Sequence, residues 1–161
     1  MNRNKFAALF LMCVTAMIGV GIKITAQSKA SAGTALVDLT MPALAISPDG
    51  KQIALVLRTG DKTQLHLRVA GGNESKPVPG TEGAASPLFS PDGKWIAFFA
   101  DGKLKKFSVE TGQIATLCDA GTGPRGAVWG PDDRIIYTPD TGSALLQVSA
   151  AGGTPKPLTE R

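Results

Sequence analysis

His66 is the only histidine in the 161-residue chain, so a hydrolytic reading has to start from it. Hydrolysis needs a nucleophile, a base and an acid that orients the base. His66 lies in Leu65-His66-Leu67-Arg68-Val69, whose apolar and polar residues alternate as on a half-buried strand. It recurs in position with Lys106 and Gln147, which points to a solvated strand position rather than a base. No Gly-x-Ser-x-Gly elbow occurs, and no glycine loop follows a strand to open a helix around a phosphate. Of the two cysteines, Cys13 belongs to an apolar leader and leaves only Cys118 behind it. One thiol makes neither an internal disulfide nor a thiolate cluster, and Cys118 next to Leu117 reads as a small buried hydrophobe. Asp49, Asp92 and Asp132 recur, but at positions that turn chemistry accounts for without calcium or acid catalysis. Lys103, Lys105 and Lys106, with Lys94, read as a solvated strand face or an edge guarded against aggregation. No catalytic residue, cofactor or metal site is predicted.

The elements that hold these residues follow from an internal repeat. Ser47-Pro48-Asp49-Gly50-Lys51 returns as Ser90-Pro91-Asp92-Gly93-Lys94, and more weakly as Gly130-Pro131-Asp132-Asp133-Arg134. The prolines are 43 and then 40 residues apart, the period of a four-stranded propeller blade. Pro presets φ at the second turn position, Asp suits the third, and Gly takes the left-handed position that closes the hairpin. Asp133 replaces that Gly in the third copy and tolerates the same conformation at modest cost. Two residues before each Pro stand Ile46, Phe89 and Trp129; five after it stand Ile53, Ile96 and Ile136. A third strand carries an inward column of Leu67, Phe107 and Val148, spaced 40 and 41 residues apart. Each copy then meets Gly72, Gly112 or Gly153 before a short fourth strand. Trp95 and Trp129 are expected to pack between blades, with ligand stacking as the alternative role. The 19 Gly and 11 Pro fit many short strands joined by tight turns.

The expected organisation is all-β: a partial β-propeller of about three four-stranded antiparallel blades behind a signal or anchor helix. Residues 1–32 form the leader, 33–42 a linker, and 43–161 the repeats, with blades at about 43–82, 84–123 and 125–161. The leader has a basic start at Arg3 and Lys5, an uncharged run from Phe6 to Ile22 and a small-residue end. That is the layout of a secretory signal, cut after Ala32 or Ala26, with an uncleaved membrane anchor as the alternative. Ala35 to Leu39 reads as a spare strand that would complete a last blade and close a ring. Three blades fall short of the four to eight of a closed propeller, so either a longer gene product or two associated copies are expected to cover the end faces. Arg3, Lys5 and Lys23, within the first 26 residues, account for most of the +4 net charge, and without those residues 14 basic face 13 acidic residues. That balance argues against a nucleic-acid partner.

The run Phe89-Ser90-Pro91-Asp92-Gly93-Lys94-Trp95-Ile96-Ala97 resembles the WD-like propeller repeats of the TolB-like family. The resemblance covers about Ala43 to Arg161. The third copy and Gly152 to Thr159 are most similar to extracytoplasmic propellers linked to bacterial Ser/Thr protein kinases. Such blades also precede prolyl-oligopeptidase-type hydrolases. The resemblance implies a non-catalytic binding or scaffold propeller of the periplasm or cell envelope, with envelope proteins or peptides as partners. The alternative is the accessory or sensor propeller of a larger kinase or hydrolase.

Overall fold

A computed structural model of the chain describes residues 36–37, for backbone only, and 43–159. The leader and its two cleavage sites lie outside the described residues. Short apolar runs interrupted by Gly and Pro turns leave no stretch for a helix, and none occurs among the described residues. The strands are β1 (Leu36–Val37), β2 (Leu44–Ile46), β3 (Gln52–Thr59), β4 (Lys62–Val69) and β5 (Ser75–Pro77) in a first sheet. A second sheet holds β6 (Ala85–Phe89), β7 (Trp95–Ala100), β8 (Lys103–Ser108) and β9 (Ile114–Asp119). The third holds β10 (Gly126–Trp129), β11 (Arg134–Thr138), β12 (Leu146–Ser149) and β13 (Lys156–Pro157). Each sheet is a four-stranded antiparallel meander in chain order, with β1 as an extra segment on the first. This is the blade architecture of a β-propeller.

The expected spare strand is placed differently from its assignment to a last blade. Leu36 and Val37 pair with Arg58 and Leu57 on β3, along the same edge that β2 occupies opposite Ile53 to Leu55. Together β1 and β2 act as one interrupted strand of the first sheet.

Two of the sequence columns slip by one residue. In the first two hairpins Ile46 opposes Ile53 and Phe89 opposes Ile96. The third turn is one residue tighter, because Gly130 N–H reaches Arg134 O where Ser90 N–H reaches Trp95 O. Trp129 therefore opposes Ile135, which is fully buried, while Ile136 turns to the other face beside the exposed Val128. In the third-strand column Phe107 opposes Ile96 and Val148 opposes Ile135, but Leu67 opposes Ala54. The β3–β4 hairpin is longer, with eight residues in each strand against six in β7 and in β8, so counting residues at a fixed period misaligns it.

Side chains of a strand alternate between faces, and the middle sheet has a neighbour on both. Ile96, Phe98 and Ala100 of β7 pack with Ala54, Val56 and Leu65 of the first sheet. Ala97 and Phe99 of the same strand pack with Trp129, Ile135 and Tyr137 of the third. That is why Trp95-Ile96-Ala97-Phe98-Phe99-Ala100 is apolar without alternation: a strand covered on both sides has no polar face. β11 buries one face only, and on the outer face of the first sheet Leu57 is buried while Leu44 and Ile46 are more than half exposed.

Candidate functional site

The three turns lie on one side of the array, the first beside the second and the second beside the third. In the first, Ser47 Oγ donates to Asp49 Oδ1 at 2.6 Å and accepts from Gln52 N–H at 2.9 Å. Asp49 Oδ1 also accepts from Lys51 N–H at 3.0 Å. The second turn repeats this through Ser90, Asp92, Lys94 and Trp95, at 2.6, 3.1 and 2.9 Å. Gly50 and Gly93 close the turns at φ +72° and +73°, and Asp133 does so in the third at +57°. The serine hydroxyl, then the backbone N–H, hold the Asp49 and Asp92 carboxyls below their ordinary range. Gly130 supplies no hydroxyl in the third turn, where Asp132 instead takes the Arg134 guanidinium, which lowers its pKa. The prolines Pro48, Pro91 and Pro131 stand at the outer corner of each turn.

Between successive turns run grooves that cross the sheet boundaries. The first, of about 410 Å³, is lined by residues that include Asp49, Gln52 and Asp92, and Gln52 Oε1 is buried in it without a partner. The second, of about 280 Å³, runs between the middle and third sheets and is lined by Asp92, Trp95, Lys106, Trp129, Asp133 and Ala150, among others. Trp95 takes the ladder position that Gln52 has in the first blade, directly after the turn.

Three features set the second groove apart. Lys106 Nζ lies 4.2 Å from the centroid of the Trp95 ring and donates to Ala150 O of the third sheet at 2.8 Å. Trp129 is only 8% exposed, and its indole Nε1 is buried without an acceptor. The Asp133 carboxylate has no hydrogen-bond or ion-pair partner among the described residues. The groove is thus walled by two tryptophans and rimmed by an exposed carboxylate. Of Lys103, Lys105 and Lys106, one reaches the neighbouring sheet. Lys103 pairs with Asp119 at 2.6 Å and Lys105 with Asp101 at 2.8 Å, whereas Lys106 turns inward across the blade boundary. Only the strand register could reveal this, because Trp95 and Lys106 are diagonal rather than direct cross-strand neighbours.

His66 lies apart from the groove, opposite Leu55 and Pro77 on the first sheet. Burial lowers its pKa, and its Nδ1 has no partner. Cys118 is buried 3.6 Å from the Tyr137 hydroxyl, which donates to Asp119 O at 3.1 Å. Burial pushes both the thiol and the phenol up. Among the described residues no three His, Cys, Asp or Glu side chains gather as a metal site, and no helix is long and apolar enough to cross a membrane.

Sheet order and turn face define a stretch of β-propeller, and the comparisons with known proteins agree on that class. The TolB-type protein of Agrobacterium tumefaciens superposes with a TM-score of 0.65 at 20% identity, over 74% of this chain and 46% of that one. TolB from Acinetobacter baumannii gives 0.61 at 25% identity, over 74% and 32%. The β-propeller domain of the trilobed protease from Pyrococcus furiosus gives 0.54 at 18% identity, over 72% and 42%. In sequence, the uncharacterized protein Atu1656 of Agrobacterium fabrum is 33% identical over 86 residues, 47% of this chain and 28% of that protein. No protein-family model matches the chain. The chain thus spans less than half the length of each of these proteins, and what it shares with the structures is a TolB-like propeller fold.

Proposed function

We propose that this chain is a non-catalytic binding or scaffold propeller of the periplasm or cell envelope, and that it engages protein or peptide partners through its turn face. The observation that carries the reading is the second groove, where Trp95, Lys106, Trp129 and the Asp133 carboxylate line a cleft across the boundary of two sheets. Ligand sites combine apolar walls with a few placed polar groups in this way. The likeness to TolB proteins supports the envelope setting, and the basic, then apolar, then small-residue order of residues 1–32 supports export. Site-specific photo-crosslinking in the native host tests it. A crosslinker at exposed Ala151 on the groove rim is expected to give a discrete adduct in the envelope fraction, and one at Glu110 is expected to give none. No adduct from Ala151, or a cytosolic location, would overturn the proposal.

A second reading is favoured by one observation, the likeness to the propeller domain of a protease. On this reading the chain is the accessory or sensor propeller of a larger enzyme, a hydrolase or a Ser/Thr protein kinase. Peptidase or kinase activity co-purifying with the full-length gene product would favour it over the first.

A further inference from the structure

The two boundaries between sheets are built alike. At the first, Ala45 and Ala54, paired on β2 and β3, pack with Phe89 and Ile96, paired on β6 and β7. At the second, Leu88 and Ala97, also paired on β6 and β7, pack with Trp129 and Ile135, paired on β10 and β11. Each boundary thus sets a forward column of one sheet on a backward column of the next. Two columns are left without a sheet among the described residues. Ile46 and Ile53 are the backward column of the first sheet, at the ladder position of Phe89 and Ile96. Val128 and Ile136 are the forward column of the third sheet, at the ladder position of Leu88 and Ala97. Both columns are wholly aliphatic, with Ile46 59% and Val128 67% exposed. We propose that a second copy of this chain covers them. The third sheet of each copy packs Val128 and Ile136 on the Ile46 and Ile53 column of its partner's first sheet.

The contact continues an interface that the chain already makes twice, and its driving force is the same removal of aliphatic surface from water. Two first sheets meeting face to face would set a backward column on a backward column, which neither boundary does. Charge does not oppose the pairing. Gln147 takes the ladder position beside Ile136 that Lys106 takes beside Ala97, and Arg134 on the same face is held by Asp132 and Gln147. Two copies of three sheets make six, within the four to eight blades of closed propellers, so two such contacts close a ring. The inference goes beyond the binding reading and does not depend on it.

Sedimentation equilibrium of the full chain, exported and purified, tests this over a range of concentrations. A dimer that dissociates to single chains on dilution is expected. Ile46→Arg and Val128→Arg each put a charge into both contacts of the ring, and each is expected to weaken association at least about tenfold. Both side chains are exposed in a single chain, so urea melts of the dilute variants are expected to stay cooperative, with midpoints close to that of the unaltered chain. Mixing the two variants isolates the proposed pairing. In a mixed pair one contact carries both arginines and the other carries none, so the variants are expected to associate with each other where neither dimerises alone. A single chain at every concentration, growth beyond the dimer, or a mixture no more associated than its parts would overturn the proposal.

Discussion

Lys106 and Trp95 sit on adjacent strands of the middle sheet, yet their contact fastens that sheet to the next one. The ammonium lies 4.2 Å from the indole centroid and donates to Ala150 O at the β12–β13 turn. A desolvated ammonium–indole contact is worth up to about 2 kcal/mol, and a hydrogen bond from a charged donor about 1.5–3 kcal/mol.

Lys106→Met keeps the aliphatic stem and removes both contacts. It is expected to destabilise the fold by about 1–2 kcal/mol, since Lys106 is only part-buried and water replaces some of what is lost. Combining it with Trp95→Leu in urea melts should give a coupling energy of about 0.5–1 kcal/mol. Additive effects would show that the stacking carries no energy.

Ser90 is 2% exposed and its hydroxyl both donates to Asp92 and accepts from Trp95 N–H. Ser90→Ala strands that buried N–H and should cost about 1–3 kcal/mol. The same change alters the pH response. Asp49 and Asp92 have folded pKa values below the ordinary 3.8, so they stabilise the fold above that value and the effect is lost as pH falls through the depressed folded pKa. His66, lowered from 6.5 by burial, acts in the same direction at higher pH, with stability falling as the solution is acidified below about 6.5. Urea midpoints against pH should show both declines. His66→Gln removes the upper one, and Ser90→Ala shallows the lower one.

Phe98 is fully buried between the first and second sheets, whereas Ile46 of the opposite, open face is 59% exposed. Phe98→Ala is expected to cost about 3–5 kcal/mol, and Ile46→Ala less than about 1 kcal/mol. A large loss at Ile46 would mean that something covers the outer face of the first sheet in solution.

The Cys118 thiol is buried and its pKa is raised, so it is a poor nucleophile in the native state. Labelling by a disulfide reagent should follow global unfolding, with a rate that rises in step with denaturant. Tyr137→Phe removes the bond to Asp119 O, costs about 1 kcal/mol, and should speed labelling by the same factor as unfolding. Rapid labelling of the untouched chain would contradict the packing around Cys118.

The turns and the blade count were legible in the sequence because Ser-Pro-Asp-Gly acts locally. Each residue is there for its own φ or its own hydrogen bond, so its meaning survives without tertiary context. Columns read by counting were less secure. Ile136 turns away from the core because the third turn is one residue tighter, and Leu67, though packed on the core, opposes Ala54 where Phe107 opposes Ile96. A one-residue slip is enough to change which face a side chain meets. The groove was less legible still. Trp129 and Trp95 were flagged as aromatics between blades, but the roles of Lys106 and Asp133 depend on two sheets meeting. Nothing in either residue's own segment signals that encounter.

The unbroken apolar run of β7 has a thermodynamic corollary. One strand supplies a wall to each of the two cores, so the three sheets behave as a short chain of coupled units with two nearest-neighbour terms. Among the described residues the first and third sheets each hold one such term and the middle sheet holds both. Opening events should therefore begin at the ends and travel inward, leaving the amides of β7 as the last to exchange with solvent.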